Sequence, residues 1–170
     1  MAKAEHTDAI ALLKEQHRKV EELFDQFCNT TNTGRKAKLA KEICIELKIH
    51  TMVEEEIFYP AFQGKIEDMT LDEALVEHDA AKLLVNDIDA GSPEDEYFDA
   101  KVSVLSEEIK HHVREEEKRG DGMFAQCRKT DVDLAELRDR MLERTRELQM
   151  LAKSEGLPPA MPSAMNLLMA

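Results

Sequence analysis

The sequence predicts an all-α protein, an up-down-up-down antiparallel four-helix bundle with an additional C-terminal helix. Hydrophobic residues make up 42% of the chain and charged residues 35%, but aromatic residues only 5%, which is typical of a helical globular protein. Apolar residues recur three and four positions apart over long stretches, the spacing of one buried helix face. Glycine and proline are confined to short segments, so the chain divides into helices of about 20 residues joined by loops.

The first two predicted helices end at recognisable sequence signals. The first helix runs from about Thr7 to Phe27 and ends in the polar stretch NTTNTG. The second helix runs from about Arg35 to Tyr59. Pro60 is expected to end it, because proline lacks an amide hydrogen and clashes with the preceding helical turn.

The third and fourth predicted helices begin at capping signals. Thr70 and Glu73 match the T-x-x-E capping box, which predicts the start of the third helix, and Gly91 predicts its end. Ser92 is expected to cap the fourth helix, with a proline at the first helical position and acidic residues in the first turn. This helix is predicted to continue to about Glu117, before the helix-breaking sequence KRGDG.

These boundaries divide the chain into a four-helix bundle over residues 1–130, a C-terminal helix within 131–155 and a tail over 156–170. The C-terminal helix, from about Val132 to Ser154, is expected to pack across the bundle or against a second subunit. The Pro- and Met-rich tail is expected either to be disordered or to dock on a protein partner. The apolar stripe of the C-terminal helix consists of Leu134, Leu137, Met141, Leu148 and Leu151.

Charge and cysteine usage exclude several classes of function. The formal net charge of -13 argues against nucleic acids and anionic membranes as partners, because both are bound by basic patches. No apolar stretch follows Met1, so no secretory signal is expected, and no run approaches the roughly 20 apolar residues of a membrane span. Cys28, Cys44 and Cys127 form neither a CxxC metal site nor a disulfide framework, which favours a cytoplasmic location.

The inward face of every bundle helix contains a histidine among aliphatic residues. In the second and fourth helices a glutamate follows four positions later, one turn further along the same face. In the fourth helix the phase selects His112, which continues the stripe from Ile109, over its neighbour His111. The glutamates next to the inward pair are predicted to lie on the flanks. The inward polar residues are His17, His50, Glu54, His78, His112 and Glu116.

A polar cluster of this size inside an apolar bundle is expected to bind metal. A single inward histidine is more often a hydrogen-bonded core residue than a ligand. Four imidazoles and two carboxylates together, however, would threaten a total stability of roughly 5 to 15 kcal/mol. A metal centre converts that penalty into binding energy, because folding and metal affinity are linked.

The donor types predict which metal. Two HxxxE pairs and two further histidines supply nitrogen and oxygen ligands without a thiolate, enough for two imidazoles per metal and two bridging carboxylates. This set fits two Fe ions in a dinuclear non-haem centre; manganese or a mixed pair also fits, and a single structural zinc is less natural. Six protein ligands leave positions for a bridging oxide or hydroxide and for solvent, so dioxygen, peroxide or nitric oxide could bind.

Four segments carry a resemblance to a known family. The runs DAIALLKEQHRKVEELF, HTMVEEEIFYP, VEHDAAKLLVNDI and HHVREEE resemble successive elements of the hemerythrin-like, HHE cation-binding family, over about residues 7–140. The resemblance implies a left-handed antiparallel bundle that holds a di-iron site. By position it implies terminal ligands at His17, His50, His78 and His112 and bridging ligands at Glu54 and Glu116.

Departures from the oxygen-carrying hemerythrins change the expected chemistry. Those proteins use five histidines, including a pair four positions apart on the third helix, where this chain has Lys82. They also carry an aspartate five positions after the fourth-helix histidine, where this chain has Glu117. A more exposed and more reactive site than that of a reversible oxygen carrier is therefore expected. The sequence KRGDG is expected to loosen the fourth helix near Glu116.

Three functions remain open. The first is a cytoplasmic di-iron protein that binds, senses or turns over dioxygen, peroxide or nitric oxide, as in a response to oxidative stress. No catalytic acid or base is predicted: Tyr59 and Lys82 could reach the pocket, but Tyr59 is expected at the end of the core and Lys82 at the surface. The second is iron storage or buffering without turnover. The third is a metal-stabilised module whose C-terminal helix and tail bind a protein partner or a second copy.

Overall fold

The computed structural model describes residues 6–166 and contains, within that range, seven α-helices and one π-helical turn, Glu54–Phe58. The four long helices α1, α2, α4 and α5 form the bundle, in which each contacts two neighbours in the order α1, α2, α4, α5. The predicted all-α four-helix bundle is confirmed. The helices are α1 (Ala9–Cys28), α2 (Thr33–Val53), α3 (Tyr59–Phe62), α4 (Asp68–Ala90), α5 (Phe98–Glu117), α6 (Met123–Cys127) and α7 (Leu134–Ser154).

Three of the helices start at acidic or amide side chains that cap free backbone N–H groups. Asp8 accepts a hydrogen bond from the Ala11 amide at 2.9 Å, and Asn32 accepts one from the Arg35 amide at 2.8 Å. Asp133 caps α7 in the same way. Because such side chains satisfy donors that have no partner within the helix, they fix where each helix begins.

The second helix does not end at Pro60, contrary to the sequence prediction. The π-helical turn follows α2 directly, the Tyr59 amide donates to the Glu54 carbonyl five residues earlier, and helical structure continues through α3 to Phe62. Pro60 lies in the first turn of α3, where a missing amide hydrogen costs least, and the wide turn before it relieves the clash that a proline causes inside a regular helix.

The third predicted helix begins earlier than its capping box suggested. Helix α4 starts at Asp68, and Glu67 precedes it without a side-chain cap. The Thr70 hydroxyl instead accepts a hydrogen bond from Gln126 at 3.3 Å, so the predicted capping box does not form. The predicted end is confirmed, because α4 stops at Ala90 and Gly91 follows.

The fourth predicted helix begins later than expected, because Ser92 does not cap it. The Ser92 amide donates to the Asp95 carboxylate at 2.7 Å, which folds residues 92–97 into turns. Tyr97 then adopts the left-handed conformation, with φ of 68°, which a right-handed helix cannot contain, and α5 starts at Phe98. Its end at Glu117 agrees with the prediction.

The KRGDG sequence makes a tight turn and does not loosen the end of α5. A side chain at Gly122 would place its Cβ 2.4 Å from the Lys118 carbonyl oxygen, so the turn requires glycine. The turn sends α6 back onto the bundle, where Met123 and Phe124 are buried. Glu116 is only 1% exposed, so the expectation of a loosened helix end was wrong.

The apolar core is divided into two parts by a polar layer. One part joins the start of α1 to the π-helical turn, α3, α6 and α7. The other joins the second half of α1 to the middle of α2, the second half of α4 and most of α5. In α1, His17 lies between Leu13 of the first part and Val20 of the second. The polar layer therefore lies between two apolar parts of the core.

The C-terminal helix and the tail both pack on the bundle. Helix α7 buries Leu137, Met141, Thr145 and Leu148 against α1, α2 and the π-helical turn. The tail was expected to be disordered or to bind a partner; up to residue 166 it lies on α4 of its own chain. Residues 167–170 lie outside the described range, and the division at 130 and 155 stays a prediction. None of the described helices is long and apolar enough to cross a membrane.

Candidate metal centre

The structure brings all six predicted inward side chains together in the polar layer. They form two groups that share a carboxylate, and in each group one donor atom per residue lies within 4.8 Å of the others. None of the six is more than 6% exposed, so the expectation of a more exposed site was wrong. Phe124 of α6 covers His17 from one side. The groups are His17, His50, Glu54 and Glu116, and Glu54, His78 and His112.

Each carboxylate lies between a histidine of one group and a histidine of the other. Glu54 Oε2 is 3.2 Å from Nε2 of both His50 and His78. Glu116 places Oε2 3.3 Å from His17 Nε2 and Oε1 3.5 Å from His112 Nε2. Because both carboxylates span the two groups, they hold the positions that bridging ligands of a metal pair would occupy.

The outer nitrogen of every histidine is hydrogen-bonded to the helix next to its own. These bonds form a closed ring around the bundle. Each acceptor is adjacent in sequence to an inward residue of its own helix. The pairs are His17 with Glu117 (2.7 Å), His112 with Glu77 (2.6 Å), His78 with Glu55 (2.9 Å) and His50 with Gln16 (2.8 Å). An acceptor at Nδ1 keeps the proton there, so each Nε2 can offer a lone pair to the centre of the cluster.

Without metal, protons balance the buried charges. Burial lowers the pKa of His17, but Glu116 and Glu117 outweigh it and raise the pKa to about 9. Burial also lowers the pKa of His78, but Glu54 and Glu55 outweigh it and raise the pKa to about 9. At Glu54, burial raises the pKa, but His50 and His78 hold it well below the usual range. Metal ions would replace these protons as the positive charge of the cluster.

Polar atoms without a full set of partners inside the cluster fit a metal centre. Among the described residues, Oε1 of Glu54 is buried and makes no hydrogen bond, whereas Nε2 of His17 and Oε2 of Glu116 lie 3.3 Å from each other but lack the geometry of a hydrogen bond. Such atoms cost about 1–3 kcal/mol each unless something binds them. All three are nitrogen or oxygen donors that point into one cluster, which is the environment that first-row transition metals use.

Tyr59 belongs to the cluster, although it was expected to be a residue at the end of the core. Its hydroxyl oxygen lies 3.0 Å from Glu116 Oε1 and 3.2 Å from both Glu54 Oε2 and His78 Nε2. Burial, followed by the two glutamates, raises the pKa of Tyr59 well above its usual value, so the phenol keeps its proton and donates it. The π-helical turn rotates Tyr59 inward, which a regular helical period cannot predict.

Lys82 was expected at the surface, and the role of the outer acceptors was not predicted. Lys82 is only 5% exposed, and its Nζ lies 2.8 Å from Glu55 and 3.0 Å from Asp79. Of the acceptors, Glu55 and Glu117 were predicted to lie on the flanks, and Gln16 and Glu77 were not singled out. One signal could have identified them: each directly precedes or follows an inward residue in the sequence. They are Gln16, Glu55, Glu77 and Glu117.

A small apolar chamber adjoins the histidines. It has a volume of about 20 Å³ and lies between the imidazoles and the side chains of Val20, Leu47, Ile109 and Val113. On another side, Phe124 stacks on His17 with ring centroids 5.9 Å apart. A cavity of this volume holds a water-sized or diatomic molecule and nothing much larger.

A wider cleft reaches one of these histidines, His50, from outside. It lies between α1, α2 and α7, has a volume of about 510 Å³ and reaches Gln16 and His50. Its walls carry both signs of charge, including the pair of Lys19 and Glu46 at 2.6 Å. The mixed charge suits a small polar molecule better than a strongly charged one.

Comparisons with known proteins agree with this architecture. The family model of the hemerythrin HHE cation-binding domain matches residues 8–119. The chain is also similar to the crystal structure of a hemerythrin HHE cation-binding domain-containing protein from Mycobacterium kansasii, with a TM-score of 0.70 and 20% identity. That likeness covers 89% of this chain and 95% of the other, and shows the fold alone. No curated protein matched the sequence. The chain belongs to the hemerythrin HHE cation-binding domain family.

Proposed function

We propose that this chain is a dinuclear non-haem iron protein that binds or reacts with dioxygen, peroxide or nitric oxide. The observation that carries the proposal is the pair of buried carboxylates, each of which lies within 3.5 Å of a histidine from both groups. A single-metal site would not need two carboxylates in that position. Membership of a cation-binding family supports a metal at this cluster.

The residues divide naturally between two ions. His17 and His50 would hold one ion and His78 and His112 the other; Glu54, which belongs to both groups, and Glu116, which lies beside His17 and His112, would be shared. Nitrogen and oxygen donors with several coordination positions left open suit iron or manganese better than structural zinc. When bound, a redox-active metal pair would supply Lewis acidity and electrons for chemistry on a small oxygen or nitrogen ligand.

The protein's own contribution is orientation, protection and hydrogen bonding. The outer acceptors fix the tautomer of each imidazole, which keeps Nε2 directed inward. The apolar chamber has room for a ligand of about two heavy atoms. Tyr59 donates a hydrogen bond towards Glu54 and Glu116, which holds both carboxylates in place.

Metal analysis of protein purified without oxygen tests the proposal. We expect about two iron ions per chain and a change in the visible spectrum when oxygen, peroxide or nitric oxide is added. Oxygen release from peroxide would identify turnover, and a reversible spectral change would identify binding or sensing. Retention of iron with an unchanged spectrum would favour storage or buffering instead. A colourless protein that takes up no transition metal would overturn the proposal.

A further inference from the structure

The C-terminal tail is attached to α4 by its backbone. Ala160 and Asn86 exchange two hydrogen bonds of 2.8 Å, one from the Ala160 amide and one to its carbonyl. Further along, the amides of Ser163, Ala164 and Met165 donate to the carboxylate of Asp79 at 2.7 to 2.8 Å. Main-chain bonds to two α4 side chains therefore hold this segment on the bundle.

Asp79 is fully buried beneath the tail. Burial raises the pKa of Asp79, but the three tail amides, followed by Lys82, lower it to about 2, so the carboxylate is charged. A buried charge of this kind depends on its hydrogen-bond donors, since a carboxylate that is out of contact with water needs them to stay ionised. The tail amides thus help to stabilise the buried carboxylate of Asp79.

Lys82 connects Asp79 to a candidate metal ligand. Its Nζ lies 3.0 Å from Asp79 Oδ1 and 2.8 Å from Glu55 Oε1. The same oxygen of Glu55 lies 2.9 Å from Nδ1 of His78. An unbroken series of polar contacts therefore runs from the tail amides through Asp79, Lys82 and Glu55 to the outer nitrogen of His78.

The other half of the cluster has no such connection within the described residues. The outer nitrogens of His17 and His50 are bonded to Glu117 and Gln16, which lie on α5 and α1. Among the described residues, the hydrogen bonds of the tail to the bundle all fall on α4, at Asp79, Lys82 and Asn86. Any influence of the tail on metal binding should therefore be confined to the ion that His78 would hold.

We infer that tail docking and metal binding at the His78 position are coupled, with Lys82 and Glu55 as positioning residues. The inference rests on the proposed metal centre. A metal at Nε2 of His78 would take the place of the proton that this nitrogen carries and fix the imidazole ring in one orientation, and with it the Nδ1–H contact to Glu55; Glu55 in turn positions Lys82 against Asp79 and the tail. By reciprocity, a docked tail strengthens metal binding by the same factor. The tail thereby becomes a segment whose attachment responds to occupancy of the centre.

Amide hydrogen exchange on the full-length protein tests this coupling. The probe is Zn²⁺, which occupies nitrogen and oxygen sites without redox chemistry. We expect zinc to slow exchange of the amides of Ser163, Ala164 and Met165 by about tenfold, within the usual range of coupling factors. In Lys82→Met the zinc-dependent slowing should disappear, and the rate of zinc loss from one of two positions should rise.

Lys48→Met is the matched control. Lys48 is also a buried lysine between α2 and α4, but its partner is Asp89 at 2.8 Å and it makes no hydrogen bond to the tail among the described residues. The control should keep the zinc-dependent slowing even if it loses stability. Unchanged tail exchange on zinc binding to the native protein would overturn the coupling. Failure to bind zinc or iron at all would overturn the metal centre itself.

Discussion

The two halves of the histidine cluster have the same inner donors and different surroundings. The His17 and His50 half has one outer carboxylate and one outer amide, and it borders the open cleft beside α7. The His78 and His112 half has two outer carboxylates, the Tyr59 hydroxyl and the tail. In the proposed metal centre, the inner residues would determine what can bind, and the outer residues would determine how tightly and from which side.

Removing an inner ligand should have the largest effect. His112→Ala removes one of two imidazoles from the second half, and we expect at least one of about two metal ions per chain to be lost. The control is His111→Ala, because His111 is adjacent, 55% exposed, and directed at Glu77 rather than the cluster. Elemental analysis measures the result. Equal losses in both variants would show that the helix phase was assigned wrongly.

Exchanging the outer acceptors between the two halves should have an intermediate effect on metal affinity. Glu55→Gln gives His78 the kind of acceptor that His50 has, and we expect about tenfold weaker metal binding in that half. Gln16→Glu makes the opposite change and should strengthen binding in the first half. Competition with a chelator measures both. If neither exchange alters affinity, the outer residues do not tune the centre.

The stability of the metal-free protein should change with pH, by a smaller amount and in a definite direction. His17 and His78 have pKa values of about 9 when folded, above the ordinary value of 6.5. Below pH 6.5 folded and unfolded chains both bind these protons, so the stabilisation is fully present. Between pH 6.5 and 9 only the folded chain does, so the stabilisation is lost as pH rises.

Thermal unfolding of metal-free and metal-loaded protein checks this dependence. The metal-free midpoint should fall as pH increases from 6.5 to 9, because the stabilising protons of His17 and His78 leave. The loaded protein should lack this fall, and metal affinity should rise over the same range, since protons no longer compete for the imidazoles. A metal-free midpoint that is flat or rising would contradict the assigned charge balance.

The sequence predicted the inner cluster because the phase of a regular helix is enough to define it. Each inward histidine continues an aliphatic stripe, and the glutamates follow at four residues, so one periodicity argument places all six. The bundle itself followed from helix length and loop length. These features depend on the spacing of residues along the chain, which can be read from the sequence.

The features that sequence reasoning missed depend on contacts between elements. Tyr59 enters the cluster through a π-helical turn, an irregularity that shifts the helix phase just before Pro60. Lys82 is buried because Asp79 and the tail cover it. Ser163, the tail residue that Lys82 contacts, lies more than eighty residues further along the chain. The start of α5 depends on how Asp95 binds a neighbouring amide. Tertiary packing decides each of these three features, and the spacing of apolar residues along a single helix does not reveal that packing.

Anomalous X-ray diffraction at the iron absorption edge, on crystals of iron-loaded protein, tests the central claim most directly. We expect two peaks about 3.5–4 Å apart, one beside Nε2 of His17 and His50 and the other beside Nε2 of His78 and His112, with both carboxylates between them. A single peak, or iron bound away from these nitrogens, would contradict the account.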